Sequence, residues 1–298
     1  MDFNELINGG WARHEKETAA LAADLEANVA LAQTPQQAGA FLQLANHAIG
    51  QHLNDWPRAA ALAEKLMHGR EDAHELAMPY SSLAVAQYMA GKTADGLASE
   101  AHAVRLTNME KVSIVVRTRA LVASALVAAR RIEEATTVFT AALELARAQD
   151  EKLACDQALA VTGNNLATEL LNQAARTPAE EALMLQAAEA SREFWLKCGT
   201  WENEERAEYL FTLIYNKLNQ PAKALEHAAK ALDVIAKNGE EVVDEAFINL
   251  AMADAFRLMG ERGGYDKTLA RAEELAADFN DEGLKSWFKD ERAKVEWK

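Results

Sequence analysis

Residues 208–232 read EYLFTLIYNKLNQPAKALEHAAKAL, and this stretch decides how the rest of the chain is read. Phe211, Thr212 and Tyr215 form one face of a first helix. Asn219-Gln220-Pro221 interrupts it, and Pro221 suits the first position of a following helix, where its missing N–H costs nothing. Ala224, Leu225, Ala228, Ala231 and Leu232 then recur at spacings of three and four, the mark of a second helical face. The unit is therefore a helical hairpin whose contact positions are small.

The same word recurs along the chain. Leu44-Ala45 and Ala48 precede Ala59, Ala63 and Leu66. Tyr80, Leu83 and Ala84 precede Leu97 and Ala103, and Val122-Ala123 and Leu126 precede Ala135, Phe139, Ala142 and Leu143. Leu166-Ala167 and Leu170 precede Ala187 and Ala190, and Ala253, Phe256 and Gly260 precede Leu269, Ala272 and Leu275. The small anchors Ala45, Ala84, Ala123, Ala167, Thr212 and Ala253 are thus separated by 39, 39, 44, 45 and 41 residues. Two helices approach closely only where neither presents a bulky side chain, and one hairpin cannot bury its apolar face alone, so hairpins stack. Helix starts agree, since Thr34-Pro35-Gln36-Gln37 and Thr177-Pro178-Ala179-Glu180 each place a capping Thr before Pro with Gln or Glu three residues on. The expectation is an all-α solenoid of about six stacked antiparallel hairpins, a single array over 1–298. Residues 3–32 form an extra amphipathic helix, 36–280 the repeats and 281–298 a C-terminal capping helix. Gly260-Glu261-Arg262-Gly263-Gly264 reads as an enlarged turn in the last repeat.

Composition agrees. Half of the 298 residues are hydrophobic, and 14 Gly and 5 Pro leave few turns. The best β-branched run, Val112-Ser113-Ile114-Val115-Val116, opens into a helical pattern. The net charge is −15, from 46 acids and 31 bases, a sign that repels nucleic acid phosphates. Cys155 and Cys198 are too few for a disulfide framework and lack zinc-ligand spacing; they read as reduced, buried small hydrophobes, which suits the cytosol. The N-terminus shows no signal peptide, and the longest nearly apolar stretch, Ala120 to Ala129, falls short of the roughly 20 residues a membrane helix needs. A cytoplasmic protein with neither nucleic acid nor membrane as partner is expected.

The repeated word resembles the tetratricopeptide repeat over roughly residues 36 to 280. The period here exceeds the usual 34 residues, like that of longer-repeat members such as kinesin light chain and bacterial peptide-sensing regulators, and Asn164-Asn165-Leu166-Ala167 resembles a word common in them. HEAT-like hairpins have a similar period. The resemblance implies a right-handed superhelix whose first helices line a concave peptide-binding groove. Stepping from each anchor, its candidate groove residues are Asn46, Tyr88, Arg117, Asn164, Thr168, Asn172, Arg206, Tyr209, Asn216 and Arg257. Asn164, Thr168 and Asn172 form one polar stripe at i, i+4 and i+8. Asn amides can both donate to and accept from a peptide backbone, and Arg can clamp a carboxylate. The paired Lys and Asn of chaperone-binding relatives are not reproduced. Lys111 to Ile132 holds no acid but five bases, Lys111, Arg117, Arg119, Arg130 and Arg131, either ordinary helix-surface charge or part of the groove. Arg117 and Asn164 are expected on adjacent ridges of one wall.

Catalytic signatures fail on inspection. His14-Glu15 begins like a zinc-protease helix, but Thr18 stands where the second His is needed. His47 and His52 lie five apart, which does not share a face of a regular helix, so no metal site is expected. Gly9-Gly10 and Gly263-Gly264 lack the strand-loop-helix setting of a phosphate loop. The expected function is a non-enzymatic scaffold binding a protein or peptide segment, without cofactor; the alternative is a peptide-sensing regulatory module acting through another protein.

Overall fold

The structure, a computed structural model, describes residues 1–149 and 151–297. Among them it has fifteen α-helices and no strand. Helices α1 (Phe3–Arg13) and α2 (Thr18–Ala27) come first. Six antiparallel hairpins follow: α3 (Pro35–Ala45) with α4 (Trp56–Met67), α5 (Ala77–Met89) with α6 (Thr93–Leu106), and α7 (Lys111–Ala128) with α8 (Ile132–Arg147). Then come α9 (Asp156–Leu171) with α10 (Pro178–Cys198), α11 (Trp201–Lys217) with α12 (Pro221–Asn238), and α13 (Val242–Met259) with α14 (Arg262–Ala276). Helix α15 (Glu282–Lys294) ends the chain. By internal packing the chain falls into two units, Met1–Thr162 and Gly163–Lys298. No helix among the described residues is long and apolar enough to cross a membrane.

The anchors sit where the repeat places them. Ala45, Ala84, Ala123, Ala167, Thr212 and Ala253 are fully buried, each in a first helix, and Ala63, Ala103, Ala142, Ala187, Ala228 and Ala272 are fully buried in the second. At α9 and α10 the backbones themselves touch: a Cβ added to Gly163 would lie 2.6 Å from the Ala187 carbonyl oxygen, so only glycine fits. Leu97 departs from the expected pattern and is 56 % exposed. The inward face of α6 runs through Gly96, Ser99, Glu100 and Ala103, a helical stripe that leaves Leu97 beside it rather than on it. Thr34 with Gln37 and Thr177 with Glu180 form reciprocal capping boxes, and Pro221 opens α12. Cys155 is buried and Cys198 half-buried, and neither is in a disulfide.

Four hairpins turn by one device. Gly91, Arg130, Asn219 and Gly260 take left-handed φ values of 78°, 60°, 54° and 74°. The next N–H then donates to a carbonyl five residues back, from Lys92 to Gln87, Arg131 to Leu126, Gln220 to Tyr215 and Glu261 to Phe256, at 2.8–2.9 Å. This closure satisfies carbonyls left orphaned at the helix end. The expected enlarged turn after Gly260 does not form, because α14 starts at Arg262 and takes Gly263 and Gly264 into its first turn.

The α3–α4 hairpin is longer before its turn: nine residues lead from Ala45 to Asn54, against seven from anchor to left-handed residue in the other four. Asn54 is its left-handed residue, φ 51°, but the closing bond runs from Asp55 N–H to the Ile49 carbonyl, six residues back, at 3.0 Å. The added length is taken up by a π-helical turn over Asn46–His52. His47 and His52, expected on different faces, therefore meet, with their Nε2 atoms 3.0 Å apart: a π turn superposes i and i+5. Residues 3–32 likewise differ from the single helix expected. They form two helices broken at His14–Glu17 and tied by an Arg13–Asp24 ion pair, with Leu6, Leu21 and Leu25 fully buried.

Candidate functional site

The second unit opens a concavity of about 640 Å³ lined by α11, α13, α15 and the end of α9. Four of the ten candidate groove residues line it: Asn172, Tyr209, Asn216 and Arg257. Tyr209 and Asn216 lie seven residues apart on α11, two turns along one face. Leu213, Phe247 and Leu250 supply apolar wall, and Lys217, Asp254, Glu291 and Lys294 supply charge.

Asn216 is the most informative of these. Its Nδ2 donates to the Ala251 carbonyl at 2.8 Å, clasping α11 to α13. Its Oδ1 is buried without a hydrogen-bond partner among the described residues. An acceptor left in that state costs about 1–3 kcal/mol. Burial, then the charges of Glu291, Asp244 and Glu205, holds the Tyr209 phenol above its ordinary value, so it stays neutral. Arg257 Nε donates to Asp254 Oδ1 at 2.9 Å.

Sequence reading missed the share of α15. Phe288 is buried against Phe247 and Phe279, with ring centroids 5.5 and 5.9 Å apart. That docking brings Glu291, Lys294 and Val295 to the concavity, so the terminal helix is a wall of the site as well as a cap. The signal for it was the apolar set Leu284, Trp287 and Phe288 in an otherwise polar helix.

The remaining candidates do not line this concavity. Asn164 and Thr168 are half-buried on α9. Arg206 is exposed and paired with Asp244 at 2.8 Å and Glu241 at 3.6 Å. Three others belong to the first unit. Asn46 makes the same clasp as Asn216, donating from Nδ2 to the Ser82 carbonyl at 2.9 Å, with its Oδ1 buried and without a hydrogen-bond partner among the described residues. The Tyr88 hydroxyl donates to Glu100 Oε2 at 2.6 Å, and burial followed by that carboxylate raises its phenol above the ordinary value. Tyr88 lines a smaller concavity of about 400 Å³ with Arg119 and Glu134. Arg117 is half-buried, donates to Ser81 Oγ at 3.3 Å, and is held by burial below the usual guanidinium value.

Two buried carboxyls support α11. Glu208 is bonded to Arg192 of α10 and to His227 Nδ1 of α12, the latter at 2.5 Å. Burial would push its carboxyl up, but the His227 hydrogen bond and the Arg192 charge outweigh this and hold it below the ordinary range. Glu205 is fully buried with neither oxygen hydrogen-bonded among the described residues, and burial, then the charge of Asp244, pushes it up to about 8.

These pairings define the fold. The chain is an all-α array of helical hairpins. No family model and no curated protein matches it. Similar solved structures include BtubC (BKLC) from P. vanneervenii, at 13 % identity over 86 % of this chain and 94 % of that one, with a TM-score of 0.47. A tetratricopeptide repeat protein from Parabacteroides merdae is similar at 14 % identity over 86 % of this chain and 99 % of its own, with a TM-score of 0.24. The helix pairing, rather than these likenesses, carries the assignment.

Proposed function

We propose that the concavity of the second unit binds an extended peptide or a segment of another protein, the chain acting as a non-enzymatic scaffold. What supports the reading is the meeting of Asn172, Tyr209, Asn216 and Arg257 around one opening. A peptide N–H can be met by the exposed amide of Asn172 at the rim. An apolar side chain on the same peptide meets Leu213, Phe247 and Leu250, at about 25 cal/mol per Å² removed from water. The mixed charges of Lys217, Asp254 and Glu291 orient the segment rather than select one sign.

A peptide array probed with the full chain yields ligands, which calorimetry then measures against Tyr209→Ala and Asn216→Ala. Each variant is expected to bind about tenfold or more weakly, the effect of losing about 1.4 kcal/mol, with unchanged circular dichroism. Parent-like affinity in both variants would place the binding surface elsewhere.

A further inference from the structure

Three histidines that share no sequence motif come together in the first unit. His14 follows α1 directly, and its ring turns back so that Nδ1 donates to the Trp11 carbonyl at 2.6 Å. A carbonyl can only accept, so the Nε2 of this ring in its neutral form carries the lone pair. His47 Nδ1 lies 2.6 Å from Gln51 Oε1, which likewise assigns the proton to Nδ1 and the lone pair to Nε2. The π turn brings His52 Nε2 to 3.0 Å from His47 Nε2. The His14 ring centroid lies 4.9 Å from that of His47 and 5.2 Å from that of His52. One ring nitrogen from each of the three falls within 4.8 Å of the others.

The surroundings hold this arrangement. A Cβ on Gly50 would stand 2.5 Å from the Trp56 ring, so the π turn is wrapped directly on a buried indole. Trp11 packs beside His14 and His47, with centroids 5.6 and 5.2 Å away. Glu15 Oε1 stands 3.9 Å from His14 Nε2.

We propose that His14, His47 and His52 form a binding site for one divalent transition-metal ion of the zinc class, with Glu15 or water completing the coordination. Imidazole nitrogen suits zinc, copper and nickel rather than magnesium or calcium. Zinc–nitrogen bonds of about 2.0–2.1 Å put two nitrogens of a tetrahedral site about 3.3 Å apart, close to the His47–His52 separation. The third nitrogen reaches the same point by a small ring rotation. Two of the rings already donate their other nitrogen to an oxygen, the outer contact that orients metal-binding imidazoles. A bound ion would join the α1–α2 pair to the first hairpin, which makes its expected role structural.

The test uses the full chain without a histidine tag, stripped with a chelator and titrated with cobalt(II), followed by absorption, and with zinc, followed by calorimetry and thermal melting. One ion per chain is expected, with visible cobalt bands and a raised melting temperature at saturating zinc. His52→Ala, at an exposed position, should weaken binding by about 100-fold or more and abolish the thermal shift. His68→Ala, an exposed histidine outside the cluster, should behave as the parent. No binding by the folded parent, or equal binding by parent and His52→Ala, overturns the site and leaves a packed ring cluster only. Equal losses in His52→Ala and His68→Ala overturn it as well, since they mark scattered surface histidines.

Discussion

The hairpins α3–α4 and α11–α12 use one amide clasp in two settings. In both, an Asn near the end of the first helix donates to a backbone carbonyl of the next first helix, Asn46 to Ser82 and Asn216 to Ala251. Around Asn216 the helix runs regularly to a left-handed Asn219, and the clasp looks onto an open concavity. Asn46 instead begins a π turn, and its hairpin gathers three imidazoles. A shared strut therefore does not imply a shared use. What distinguishes the two regions is the winding of the helix end and what surrounds the clasp.

The comparison breaks most strongly at Glu208, since only the α11–α12 hairpin hangs on a buried ion network. Glu208→Ala leaves a half-exposed Arg192 and a nearly buried His227 without their carboxylate and should destabilise the protein by about 3 kcal/mol in urea titration. Because the folded carboxyl lies below its ordinary value, its contribution is present above pH 4.5 and is lost as pH falls through the folded value. A variant as stable as the parent would show that the network carries no load.

Glu205, on the same helix, works in the opposite direction. Below pH 4.5 its carboxyl is protonated in both states; between 4.5 and about 8 the unfolded chain releases a proton that the native state keeps. Stability should fall across that window, by roughly 2–5 kcal/mol in total. Glu205→Gln should flatten this slope, and a slope unchanged in the variant would assign it to other groups.

The smallest effect sharpens the comparison rather than breaking it. Asn46→Ala and Asn216→Ala should each cost about 1–3 kcal/mol, because each leaves a carbonyl without its donor. The costs should be similar, while only Asn216→Ala alters peptide affinity. A loss of peptide binding at Asn46→Ala would mean that the clasps share a use after all.

The hairpin array was legible because it is written in local periodicity: small anchors, Ala-spaced second helices, capping Thr residues and Pro221 all express backbone chemistry within a few residues. Leu97 escaped that reading because the stripe through Gly96 and Ala103 sets the phase, and an apolar letter does not say which side of a contact it takes. Of the residues read as groove, Asn172, Tyr209, Asn216 and Arg257 line one concavity, while the part played by α15 was not legible, because its place depends on Phe288 docking across sequence distance. Glu205 and Glu208 were invisible because a carboxylate is read as surface unless its partners are known. The histidine cluster was hidden by an assumption of regular winding: five residues miss a face in an α-helix and share one in a π turn.

That turn bears on how this fold tolerates changes of length. An added residue placed in the connection would disturb the left-handed closure that four other hairpins share. Placed in the helix as a bulge, it shifts numbering while Ala45 upstream and Ala59 and Ala63 downstream all remain fully buried. Length added in a first helix can thus be recovered later in the same repeat, since 39 residues separate Ala45 from Ala84 and Ala84 from Ala123 alike, and the packing keeps no mark of it.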